Sequence, residues 1–96
     1  MRVVWAPRAQ RRLQEIVEFI ATDRPLAAVH ILGQLLSAAR TLGEHPQLGR
    51  RGRVRGTREL VAAGTPYLLI YRVIGDVLEV LTVFDGRRRW PPADDM

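Results

Sequence analysis

Pro66-Tyr67-Leu68-Leu69-Ile70-Tyr71-Arg72-Val73-Ile74-Gly75-Asp76-Val77-Leu78-Glu79-Val80-Leu81-Thr82-Val83-Phe84 is the stretch that decides the fold. Two β-rich runs, Pro66 to Ile74 and Val77 to Phe84, flank Gly75-Asp76, a dipeptide suited to a two-residue hairpin. The first run is apolar on both faces, as expected of a strand in the middle of a sheet. Arg72 near its end must then find water or a carboxylate.

Upstream, Thr57 to Ala62 reads as a further strand, set off by Gly64-Thr65. Between Glu44 and Gly56 the segment is rich in Gly, Pro and Arg and has no apolar period, which predicts an exposed basic loop. Before it, Ala28, Leu32, Leu35, Ala39 and Leu42 recur at helical spacing from Pro25 to Leu42, with Gly43 as the expected C-cap. Ala9, Leu13, Ile16, Val17 and Ile20 do the same from Pro7 to about Thr22. Asp23-Arg24-Pro25 ends one helix and starts the other, because proline is tolerated only in a first turn. Arg2 to Trp5 is a short initial strand. The order is β-α-α-β-β-β, an α+β fold in which an N-terminal strand and a helical hairpin pack on an antiparallel sheet.

At 96 residues there is room for one core, so residues 1–90 are expected to form a single domain, with 91–96 as a loose tail. No apolar run approaches the roughly 20 residues of a membrane span. The N-terminus passes from Arg2-Val3-Val4-Trp5 to Pro7 without the apolar segment of a signal peptide. A cytoplasmic protein with no membrane partner is expected. The absence of cysteine excludes disulfides and thiolate chemistry, and His30 and His45 lack partners at ligand spacing, so no metal or other cofactor is expected.

All 15 basic residues are arginine, and the net charge is +5. Guanidinium forks suit phosphate or carboxylate, which points to an anionic partner. Arg50, Arg51, Arg53, Arg55 and Arg58 cluster in the loop and the following strand, and Arg87, Arg88 and Arg89 follow the last strand. If both groups lie at one end of the sheet, they converge on a concave anion site. Arg58, on a strand beside Glu59, is the best positioned of them. Trp90, beside three arginines and two prolines, is a candidate for stacking on a base, whereas Trp5, Tyr67 and Tyr71 are expected to pack. Walker, GxSxG, HExxH and paired-carboxylate signatures are absent, which argues against phosphoanhydride chemistry and the common hydrolases.

The chain resembles the ParE/RelE family of toxins over nearly its whole length. The resemblance is carried by Trp5 and Ala9, Pro25 and Ala28, His45-Pro46-Gln47-Leu48-Gly49-Arg50, Thr57-Arg58-Glu59-Leu60, Pro66-Tyr67-Leu68-Leu69-Ile70-Tyr71-Arg72, and Val83-Phe84-Asp85-Gly86-Arg87-Arg88-Arg89-Trp90-Pro91. It implies a type II toxin neutralised in a hetero-oligomer by a cognate antitoxin. It also implies one of two targets. RelE-like members cleave mRNA on the ribosome; there Arg58 matches an implicated arginine, Arg72 or Arg87 could assist, and Asp85 stands where many relatives carry histidine. ParE-like members poison DNA gyrase by binding, which needs no general base. The long second helix and the lack of a His, Tyr or Lys after Asp85 favour the ParE-like reading. A degenerate member that only binds antitoxin is the third possibility.

Overall fold

The computed structural model describes residues 1–91, so of the expected loose tail at 91–96 all but Pro91 lies outside the described residues. Its elements are β1 (Arg2–Trp5), α1 (Pro7–Asp23), α2 (Pro25–Glu44), β2 (Arg50–Arg51), β3 (Arg58–Val61), β4 (Tyr67–Ile74) and β5 (Val77–Asp85). The fold is α+β, with both helices on one face of a five-stranded sheet of order β1-β5-β4-β3-β2. From β2 to β5 the strands are antiparallel neighbours in chain order. β1 joins the far edge parallel to β5, so the sheet is mixed rather than wholly antiparallel. The helical hairpin carries the chain from one edge of the sheet to the other.

Each helix starts on a proline, whose missing N–H costs nothing in a first turn. Arg24 links them: its N–H donates to the Ile20 carbonyl (2.8 Å) and its own carbonyl accepts from Ala28 N–H (3.0 Å). Gly43 is not the C-cap. The second helix runs two residues past Leu42, to Glu44, and His45 closes it by donating to the Thr41 carbonyl at 2.9 Å. Gly43 is instead buried where β1 crosses the helix, and its carbonyl accepts from the Met1 ammonium at 3.0 Å.

β4 is the central strand, buried from Tyr67 to Tyr71. Tyr67, Leu69 and Tyr71 face the helices, where Ala9, Ile16, Leu35, Ala39 and Leu42 meet them, and Trp5 packs at the margin. A bulge in β5 keeps that core continuous. Ile70 pairs with Thr82 and Tyr71 with Val80, leaving Leu81 as the extra residue, so Val83 and Val80 both point to the helices although three positions apart. The β4–β5 turn is the expected Gly75-Asp76, with Gly75 at a positive φ of 60°.

A strand was not expected at Arg50–Arg51, in what reads as plain loop. Both residues are exposed on an edge, so no apolar alternation marks them; pairing with Glu59 and Arg58 makes the strand.

The close approach at Gly43 is testable. A Cβ there would sit 2.8 Å from Val3 Cγ2 and 3.2 Å from the Met1 carbonyl oxygen. Gly43→Ala should therefore lose about 1–3 kcal/mol through overpacking, read as a lower urea midpoint. An unchanged midpoint would mean that β1 yields freely.

Candidate functional site

Opposed residues on neighbouring strands share a face, so the register sorts the arginines. Glu59 stands opposite Ile70 and Arg50, on the sheet face away from the helices. Arg58 and Arg51 pair on the other side, with Tyr71. Strand alternation thus separates cations that are adjacent in sequence.

Glu59 is 2% exposed. A carboxylate in such a place must be paired, and it is. Oε1 accepts from Arg50 Nη2 at 3.0 Å and from Arg53 Nη2 at 2.9 Å; Oε2 accepts from the Arg53 backbone N–H at 3.0 Å. The Nε atoms of both arginines add longer bonds of 3.3 Å. Burial alone would push the Glu59 pKa up, but the bonds from Arg53 and Arg50 outweigh it and hold the carboxyl below its ordinary range. The two guanidinium groups stay accessible, with side-chain exposures of 66% and 46%.

The preceding segment is tied to the core by Tyr71. Its hydroxyl donates to the Pro46 carbonyl at 2.7 Å and accepts from Gly49 N–H at 3.0 Å. Gly49 fits because a Cβ would lie 2.6 Å from that hydroxyl oxygen. Burial raises the Tyr71 pKa, against the opposing influence of the Gly49 N–H and Arg58, so the phenol remains a donor. Arg58 Nη1 closes the arrangement with a 2.7 Å bond to the Gly49 carbonyl. Arg55 lies exposed in the turn before β3. Arg72 finds its carboxylate across the hairpin, donating to Glu79 at 2.8 Å on the same face as Glu59.

The C-terminal arginines do not join this group. β3 and β5 are both antiparallel to β4, so the start of one and the end of the other point in opposite directions along the sheet. Arg58 pairs with Tyr71, whereas Asp85 pairs with Tyr67, four residues away; that is roughly 13 Å along a strand. The expected single concave site is therefore two separate basic surfaces, and Arg58, Arg72 and Asp85 do not share one locus. Asp85 is occupied by Arg87, which donates from Nε (2.9 Å), Nη2 (2.7 Å) and the backbone (3.0 Å). Those bonds hold its pKa at about 2. Arg88 and Arg89 are exposed. Trp90 is not laid open for stacking: it is 9% exposed and packs on Phe84 (ring centroids 4.8 Å apart), Leu68 and Ile70 in a small second core on the open face.

Glu59 as the hub and the Tyr71 hydroxyl as the tether are what sequence reasoning missed. The available signal was alternation: in Arg58-Glu59-Leu60 an acid lies between two residues of the helix-side face, in a chain with a surplus of arginine.

A second surface is apolar. A trough of about 790 Å³ runs beside β1, floored by Val3, Trp5, Leu13, Val17, Leu32 and Leu36 and rimmed by Arg2, Gln10, Gln14 and Glu18. Elsewhere on the hairpin, Phe19 and Leu26 are 82% and 85% exposed, Phe19 beside the recess that holds Tyr67, Asp85 and Arg87. Among the described residues no cluster of acids and histidines could hold a metal ion, and no helix is long and apolar enough to cross a membrane.

The family described as ParE toxin of type II toxin-antitoxin system, parDE, matches residues 3–90. The Y4kP protein of Sinorhizobium fredii is 44% identical over 90 residues, covering 94% of this chain and 93% of that one. Toxin RelE2 of Caulobacter vibrioides is 34% identical, covering 91% and 97%. Among solved structures, the chromosomal ParDE TA system from P. aeruginosa contains a chain that superposes with a TM-score of 0.80 at 22% identity, covering 88% of this chain and 95% of that one.

The Asp85–Arg87 pair makes a pH prediction. A carboxyl depressed in the folded state contributes stability above its unfolded pKa and loses it as pH falls toward the folded value. For Asp85 that window runs from 3.8 down to about 2. Asp85→Asn should lower the urea midpoint at pH 7 and flatten its decline across the window. Parallel declines in the two proteins would show that the pair does not act on stability.

Proposed function

Because the chain belongs to the family of ParE toxins of type II toxin–antitoxin systems, we propose that it arrests growth by binding, with DNA gyrase as its target, and not by cleaving RNA. The observation that carries this reading is the separation just described. RNA cleavage by an internal 2′-hydroxyl needs a base, an acid and cations around one phosphate. Here Arg58 stands opposite Tyr71, in the middle of β4, and the one carboxylate in the expected base position stands opposite Tyr67 at its start, on the strand at β4's other side and roughly 13 Å further along the sheet. That carboxylate is tied up by Arg87 with a pKa of about 2, which makes it a poor base at neutral pH. A toxin that acts by binding needs only a fixed surface, and Glu59 and Tyr71 supply one.

The antitoxin is the second partner in this reading. An amphipathic segment of it lies in the apolar trough beside β1, removing Trp5, Leu32 and Leu36 from water. The basic end of the sheet then stays available for the target, or for acidic residues of the same antitoxin. Ribosome-dependent cleavage of mRNA is the second reading, favoured by the 34% identity to the relative that bears the RelE name.

Expressed without its antitoxin, the chain should stop growth, and the purified protein should block supercoiling by gyrase while leaving translated mRNA intact. Cut mRNA with unaffected supercoiling would replace the first reading with the second. Unimpaired growth would mean that the chain is only an antitoxin-binding partner.

A further inference from the structure

We propose that Arg50 and Arg53, gathered by Glu59, form a preformed binding site for a phosphodiester group of a nucleic-acid strand on the open face of the sheet, with Glu59 as its positioning residue. The proposal rests on the reading above in one respect, that this end of the sheet meets the target.

Both Nη2 atoms lie about 3 Å from the same Glu59 oxygen, so the two guanidinium groups are close neighbours. Left to themselves they would repel. The buried carboxylate offsets that repulsion and takes the Nε and Nη2 donors of each arginine. A guanidinium has five N–H donors in a rigid plane, so each arginine keeps its Nη1 donors for a further acceptor. The Arg53 backbone is fixed by the same carboxylate, and the Gly49 end of the loop by Tyr71. Two forks held side by side, already ordered before a ligand arrives, bind an oxyanion without the entropy cost of immobilising two long side chains.

A row of charge identifies the ligand as a nucleic-acid strand rather than an acidic protein. Arg50, Arg53 and Arg55 follow one another along the edge strand and its turn, and all are exposed, while Arg51 alternates to the other face. Against these three cations stands one carboxylate, Glu59, which is wholly buried. A nucleic acid supplies anions as a regular row, and each one neutralised releases condensed counterions. The phosphodiester is common to DNA and RNA, so both belong in the test.

Fluorescence anisotropy of a labelled RNA single strand and a labelled DNA duplex, titrated with the whole chain at several salt concentrations, is the experiment. Glu59→Gln raises the net charge by one, so charge counting alone predicts tighter binding. Preorganisation predicts the reverse, a loss of about tenfold, the scale of one charge-assisted hydrogen bond. Arg50→Lys keeps the charge and leaves Glu59 paired with Arg53, so it tests the site even if the Glu59 variant does not fold. It should also weaken binding, because an ammonium cannot serve two acceptors as a planar fork does. The log–log salt slope of the parent should be about 0.7 per single-strand phosphate or 0.9 per duplex phosphate contacted.

Unchanged or tighter binding by Arg50→Lys or by a folded Glu59→Gln would overturn the proposal. So would absence of affinity for either oligonucleotide, or displacement of both by poly-glutamate at equal charge. A gyrase assay on the same preparations separates the two claims. Oligonucleotide binding without gyrase inhibition removes the functional reading alone, and gyrase inhibition without oligonucleotide binding removes this site alone.

Discussion

A carboxylate buried without partners costs several kcal/mol or more, and the basic end of this molecule is organised around avoiding that cost at Glu59. The chain meets the demand locally. Arg50 enters a two-residue strand opposite Glu59, Arg53 turns back with both its side chain and its N–H, and the Gly52–Thr57 turn closes behind them through a 2.7 Å backbone bond. A segment that composition marks as a solvated loop is thus built onto the sheet. Tyr71 repeats the principle from the other face, spending its buried hydroxyl on two backbone groups of the same segment.

Topology then decides what these arginines can do together. Because β3 and β5 run the same way on either side of β4, the loop arginines and the C-terminal arginines face opposite ends of the sheet. One end carries fixed and exposed guanidinium groups. The other carries a tightly paired Asp85–Arg87 turn beside an aromatic cluster. The apolar trough lies along the β1 edge of the sheet, away from β2. On the proposed function, such a division would let one protein hold a neutralising segment and a target on separate surfaces.

Much of the architecture was legible in the residues. Apolar periodicity located both helices, β-rich runs located β1, β3, β4 and β5, and Gly75-Asp76 located the hairpin, because each depends on local pattern. Edge strand β2 was not legible: two exposed arginines carry no period, and only their pairing with Glu59 and Arg58 defines them. Gly43 looked like a helix terminus because glycine usually is one there, whereas its use is to let Met1 and Val3 approach. The candidate site was legible as composition but not as geometry. Arginine clusters can be counted in a sequence, yet their assignment to faces follows strand parity, and their assignment to ends follows strand direction. Glu59 escaped notice because a lone acid among arginines resembles surface charge until its burial is known.

Rigidity of the basic segment is the central claim, and amide hydrogen exchange tests it most directly. The Gly49 and Arg53 amides, bonded to Tyr71 and Glu59, should exchange about as slowly as those of the central strand. The Arg55 amide, in the exposed turn, should exchange fast. Rapid exchange at Gly49 and Arg53, matching Arg55, would contradict the account.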